Sequence, residues 1–178
     1  KTYGELADSF KIDNISSSPS KFDMDQLLYW QKKAVEDLNL NECKSWLKDS
    51  LEDLPSSIDK DNFIALIKDN INFPHEAQDY LNNLFLTPLG ERSEIIDVIK
   101  SAGKEFYLQA QEVITSEIID WNETAKNIGS TTGKKGKELF MPLRCAITGQ
   151  TKGPELDRVV NLIGTQQVMK KLKEASEL

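Results

Sequence analysis

The cationic side chains of this chain are unevenly placed. Lys134, Lys135, Lys137, Arg144 and Lys152 fall inside one stretch, KKGKELFMPLRCAITGQTKGPELDRVVNLIG, whose only early acid is Glu138, in a protein of formal net charge −7. An ammonium on a flexible stem neutralises phosphate as a point charge. A guanidinium also presents a planar fork of donors that matches the edge of a base or an oxyanion. The stretch is therefore the candidate contact for a polyanion. Arg144 is its sharpest member, because it sits among Leu143, Ala146 and Ile147 and is not a casual surface charge. The competing reading is a structural arginine paired with Glu155 or Asp157. For the lysines it is a solubilising loop, as charge runs usually are.

Other chemistries find little support. His75 is the only histidine, and it has no cysteine nearby, so it reads as a surface residue. Cys43 and Cys145 are far apart and read as two buried free thiols of a reducing cytoplasm. The acidic pairs Glu52-Asp53 and Asp59-Asp61 fall at expected helix ends, where carboxylates favour the N-terminal dipole. GSTTGKKGK, from Gly129, imitates a phosphate-binding loop. Its glycines are one residue too close, no Ser or Thr follows Lys134, and a helix precedes it instead of a strand. No nucleophile–base constellation emerges from which to build an enzyme.

At 178 residues the chain has room for one medium domain or two small ones. Its acidity excludes a whole-surface nucleic-acid binder and confines any such contact to a local patch. No apolar run approaches the roughly 18 residues of a membrane span, no signal-peptide pattern opens the chain, and the first residue is Lys1; a fragment of something longer is expected.

The elements that must position Arg144 are helices throughout. Residues 1–20 read as a tail or linker, with Phe10, Ile12 and Ile15 before a Ser-rich, Pro-containing loop. Helical spacing then begins at Met24, capped by Asp23, and runs through Leu27, Leu28, Gln31, Ala34, Val35 and Leu38. Further helices are expected to open at Asn41, Asp59 and Pro74, and Thr87-Pro88-Leu89-Gly90 is the best boundary. Beyond it the spacing predicts a helix from Ile95 to Ala102, a segment from Glu105 to Val113, and a helix carrying Ile118, Trp121, Asn122, Ala125 and Ile128, capped by Thr115 or Ser116. Gly129 to Gly133 reads as a loop, Pro142 to Thr148 as a short helix, and Gly164 as the end of the next. Thr165 is expected to cap a last helix with Lys170, Lys171 and Lys173 outward. No strand-like alternation occurs. The fold class is all-α, with helical subdomains over 21–88 and 89–178.

GKKGKELFMPLRCAITGQTKGPEL resembles the C-terminal signature of bacterial and mitochondrial glutamyl-tRNA synthetases, roughly GxKGKxLFxPLRxALTGxxxGPEL. It departs at Ile147, usually leucine, and in Gln150-Thr151-Lys152. A second family motif, FDxxxLLxLNxKxL, is matched by Phe22, Asp23, Leu27, Leu28 and Lys33. Gln31 replaces its asparagine, a residue read as making packing or backbone contacts, and Trp30 stands where leucine is common. The similarity runs with gaps from about Tyr3 to the end and is weakest between Leu38 and Ile114.

The resemblance implies a superhelix of short helices in two subdomains that grips an anticodon stem and loop. By position it makes Arg144, Gly153, Pro154 and Leu156 anticodon-binding. It adds Lys126 to Lys134, Lys135, Lys137 and Lys152 as phosphate contacts. It further implies tRNA(Glu), or tRNA(Gln), as partner, residues 1–20 as the remnant of a linker to a catalytic half of the same chain, a monomer, and a cytoplasmic setting. The parent enzyme would use ATP and Mg to attach glutamate to tRNA. No HIGH-type or KMSKS-type sequence is present, so this stretch alone is expected to be inactive and to need no cofactor or metal. Some family members use an arginine in the first subdomain against the third anticodon base, and the corresponding region 62–72 offers only Lys68. The alternative from another class is an acidic helical adaptor that binds a protein and no RNA.

Overall fold

The computed structural model describes residues 3–14, 21–115 and 117–178. The expectations placed on Ile15, on the Ser-rich loop and on a Ser116 cap lie outside the described residues. Among those described there are ten α-helices and no strand, as helical spacing requires.

The first helix, α1 (Tyr3–Ser9), is exposed from Gly4 to Ser9. In α2 (Met24–Asp37) the Asp23 carboxylate accepts from the backbone N–H groups of Asp25 and Gln26, as its sequence position predicts. Only Val35 of this helix is buried, so α2 is held at its C-terminal end. Gln31 Nε2 donates to the Asn72 carbonyl at 2.9 Å, the backbone contact expected of that position. Lys68 Nζ donates to the Glu36 and Leu38 carbonyls and so caps α2.

In α3 (Leu40–Trp46) the cap is Asn39, two residues before the expected Asn41. Its side chain accepts from Asn41 and Glu42 while Glu42 accepts from the Asn39 N–H, a reciprocal box. Asp59 caps α4 (Lys60–Ile67), and Pro74 opens α5 (Pro74–Leu81). The chain then unwinds through a wide turn over Asn82–Leu86 and a tight one over Leu89–Glu91. Next come α6 (Ser93–Ala102), α7 (Lys104–Val113) and α8 (Trp121–Thr132). The cap of α8 is Asp120, so Thr115 does not serve. The helix continues through Gly129, where a loop is expected from the glycine, and stops at Gly133, whose φ of 68° is left-handed.

The short helix expected from Pro142 is longer at its start: α9 spans Lys137–Thr148, with Pro142 inside and buried. Gly136, at φ 52° and ψ −130°, lets the chain turn into α9 one turn earlier than proline preference suggests. Pro142 removes only the bond that its N–H would have made to the Glu138 carbonyl near the helix start. Gly149 ends α9 at φ 68°, as expected. The last helix, α10 (Leu156–Ser176), is kinked at Gly164 (φ 76°, ψ 163°). Thr165, at the kink, accepts a hydrogen bond from the Ile118 N–H at 2.8 Å, tying α10 to the segment before α8.

The kinked α10 is the axis of the packing, lying against α7, α9, α8 and α4. Buried apolar residues form one cluster from Cys43 to Ala175, continuous on both sides of 87–90. Lys171 corrects the expectation that it points outward: it is 4% exposed. Carbonyls of the wide turn after α5 and of Thr87 just beyond it accept side-chain donors from elsewhere in the chain, and a buried carbonyl without a donor is costly. Lys171 Nζ donates to Asn83 O (3.3 Å), Gln167 Nε2 to Leu84 O (3.1 Å), and Arg92 Nη2 to Asn82 O (3.0 Å) and Thr87 O (3.1 Å). The two halves of the chain are thus stitched by side chains that the apolar pattern alone does not reveal.

Candidate nucleic-acid interface

The helix α9 carries Lys137 and Arg144 seven residues apart, which is two turns and about 10 Å along one side of it. Phe140 lies between them and is 46% exposed. Arg144 is half-buried, and its Nη1 donates to the Pro154 carbonyl at 2.9 Å. That bond folds the 149–155 turn back over the end of α9. Thr148 closes the same turn, its hydroxyl bonded to the Arg144 carbonyl (2.8 Å) and accepting from the Gln150 N–H (3.2 Å).

Arg144 opens onto a cleft of about 410 Å³, shared with Phe140, Trp121, Asn122, Leu156 and the acids Glu155 and Asp157. Among the described residues no ion pair includes Arg144, so neither acid holds it as the structural alternative requires. Its anchor is a neutral carbonyl, which fixes the guanidinium and leaves its remaining donors available.

Gly153 has φ 136°, and a Cβ built there would lie 3.1 Å from the Tyr80 hydroxyl. Tyr80 of α5 is thereby part of the site, although its helical spacing marks it only as an inward residue. Burial and the nearby Glu76 carboxylate push its hydroxyl above the ordinary tyrosine range, opposed by the charge of Arg144. Pro154 and Leu156 are buried; of the two, Leu156 contributes to the cleft wall.

The lysines fall in three places. Lys134 and Lys137 line a neighbouring cleft of about 400 Å³ with Val98, Met141 and Pro142. Lys134 pairs with Glu138 at 3.8 Å, an exposed pair of little energetic weight. Lys135 and Lys152 are exposed on the turns before and after α9. Lys126 is exposed on α8, one turn beyond Asn122 and so on the side that borders the Arg144 cleft.

Groups read as inert are so placed. His75 is exposed and stacks on Phe73, ring centroids 5.7 Å apart. Cys43 and Cys145 are buried and free, and burial pushes both thiols up. Among the described residues no cluster of metal-ligating side chains occurs, and no helix is long and apolar enough to cross a membrane.

A family model described as an anticodon binding domain matches residues 40–176. Glutamate–tRNA ligase 1 of Halorhodospira halophila is 34% identical over 173 residues, covering 97% of this chain and 36% of that protein. Glutamate–tRNA ligase 2 of Alkalilimnicola ehrlichii is 35% identical over 175 residues, with 97% and 36% covered. The chain therefore spans little more than a third of the curated relatives it matches. Among solved structures, a glutamate-tRNA synthetase from Elizabethkingia anophelis superposes with a TM-score of 0.67 at 14% identity, over 98% of this chain and 36% of that one, a likeness of fold. With the matched model covering most of its length, the chain belongs to the anticodon-binding domain family.

Proposed function

We propose that this chain supplies anticodon stem-loop recognition to a glutamate–tRNA ligase, with tRNA(Glu) as its RNA and tRNA(Gln) as the second candidate. The whole enzyme would attach glutamate to tRNA using ATP and Mg held by the remainder of the protein. It would act as a monomer in the cytoplasm, its two helical subdomains over 21–88 and 89–178 sharing one core.

The observation that carries this reading is the clamp of Arg144 on the Pro154 carbonyl beside an exposed Phe140. Sequence-specific RNA recognition takes bases of single-stranded loops, stacks them on aromatic or guanidinium planes and bonds their edges. A guanidinium immobilised at one nitrogen, next to an exposed ring, offers both contacts. Lys126, Lys134, Lys135, Lys137 and Lys152 supply phosphate contacts, which position the RNA and carry no sequence information. Gly153 and Pro154 shape the turn that Arg144 holds, and Leu156 gives the cleft an apolar wall. Binding of a synthetic anticodon stem-loop against loops with altered anticodons tests the reading. An RNA-free adaptor would show no anticodon preference.

A further inference from the structure

Tyr80 belongs to the first half of the chain, and the turn that Arg144 holds belongs to the second. That turn is fastened at its two ends. At its start the Thr148 hydroxyl accepts from the Gln150 N–H, and at its end the Pro154 carbonyl accepts from Arg144. Between these points Thr151, Lys152 and Gly153 are exposed, and among the described residues none of the three enters a hydrogen bond. What meets the middle of the turn is the edge of the Tyr80 ring. A Cβ built on Gly153 would lie 3.1 Å from the Tyr80 hydroxyl and 3.4 Å from its Cε1. The other near atom, Gln150 Oε1 at 3.2 Å, is the turn's own. The turn therefore closes onto the phenol because residue 153 has no side chain.

Tyr80 is a firm backstop. Its helix α5 buries Ala77 and Leu81 in the core beside it. The start of α5 is held by the Glu76 carboxylate, which accepts from the N–H groups of Asn72 and Phe73 and stands one turn before Tyr80 on the same face. The half-buried hydroxyl makes no hydrogen bond among the described residues, so its hold on the turn is contact alone. A turn fastened only at its ends can pivot. Any pivot moves the Pro154 carbonyl and with it the guanidinium bonded to it. Hydrogen bonds to a base edge weaken steeply with angle and distance, so such a movement lowers discrimination.

We infer that Tyr80 is a positioning residue for anticodon reading: pressed against Gly153 from the first half of the chain, it sets the turn whose Pro154 carbonyl orients the Arg144 guanidinium. Tyr80 itself reads no base. It makes the selectivity of Arg144 depend on how α5 is docked against the second half. This rests on the anticodon-binding reading above and gives it a specificity-determining residue outside the basic stretch.

The test titrates the chain and its variants with an anticodon stem-loop and with loops altered at each anticodon position in turn. Tyr80→Ala should reduce preference by about 2- to 30-fold at the position where Arg144→Ala erases it, and leave the other positions unchanged. In an Arg144→Ala background the same substitution should change no preference, since nothing is left for it to orient. Tyr80→Phe, which keeps the ring, should restore most of what Tyr80→Ala loses. If Tyr80→Ala fails to fold, Gly153→Ala probes the same contact from the exposed turn. It should lose preference at the Arg144 position, and adding Tyr80→Phe, which removes the nearest atom, should restore part of it; the backbone strain at φ 136° is common to both. A folded Tyr80→Ala with unaltered preference, or a Gly153→Ala loss that Tyr80→Phe leaves untouched, overturns the inference. Equal weakening of every loop by Tyr80→Phe, the mark of a hydroxyl bound to the RNA backbone, overturns it as well. Those outcomes leave the broader reading intact. Absence of any stem-loop binding by the unaltered chain overturns both.

Discussion

The guanidinium of Arg92 occupies the space that a side chain at Gly149 would need: a Cβ built on Gly149 lies 2.6 Å from Arg92 Nη1. Gly149 is the left-handed residue that ends α9, and its carbonyl accepts from the same nitrogen at 3.5 Å. The helix that carries Arg144 is thus locked, at its end, to the connector between the two halves of the chain.

Gly149→Ala therefore meets two penalties. A left-handed alanine costs about 1 kcal/mol, and displacing Arg92 takes a donor from the Thr87 carbonyl and one of two donors from the Asn82 carbonyl. Denaturant unfolding should show a loss of about 2–3 kcal/mol. Gly133→Ala, equally left-handed with no heavy atom within 4 Å of the added Cβ, should lose only about 1 kcal/mol. Equal losses at the two sites would mean that Arg92 is not a structural lock.

Lys171 gives the fold a pH dependence. Burial pulls its ammonium down to about 8, with Arg92 and Lys170 adding to the effect and Glu174 opposing it. Below about pH 8 the lysine is charged in both states and its burial cost is fully present. Between about 8 and the ordinary value of 10.5 the unfolded chain holds more protons, so stability rises with pH. Relative to Lys171→Met, which cannot titrate, the unaltered protein should gain up to about 3 kcal/mol over that window. The comparison cancels Tyr107, whose buried hydroxyl is pushed well above its ordinary range in both proteins. Parallel stability curves would contradict the assignment.

Arg144 and the lysines should separate reading from holding. Arg144→Ala should cost about 1–3 kcal/mol of stem-loop binding and flatten preference among anticodon variants. Lys135→Ala and Lys137→Ala should weaken all variants alike and make the salt dependence shallower. Circular dichroism first establishes that Arg144→Ala is folded, since the Pro154 carbonyl loses its donor. A folded Arg144→Ala that discriminates as the unaltered chain does would remove Arg144 from the reading role.

The helical class and most helix starts were legible because caps and apolar spacing are local. Asp23, Asp59 and Pro74 sit where their chemistry places them. What escaped were features set by tertiary partners. Lys171 resembles its neighbours Lys170 and Lys173 in sequence, and its partner, the Asn83 carbonyl after α5, lies 88 positions away. Asn39 outcompetes Asn41 because Glu42 completes a reciprocal box with it. Of the site, Arg144 was visible from its apolar neighbours. Tyr80 was not, since its contact with the Gly153 turn joins residues 73 positions apart. Phe140 had a signal that went unused, an aromatic one turn before the arginine on the same helix.

The most direct test of the central claim is a fluorescence titration of the unaltered chain with the tRNA(Glu) anticodon stem-loop at two salt concentrations, beside a loop with a scrambled anticodon. Recognition by Arg144 with support from the lysines predicts saturable binding that prefers the matching anticodon. The logarithm of affinity should fall with the logarithm of salt at a slope of about 2–4. Binding that ignores the anticodon, or no binding at low salt, would contradict it.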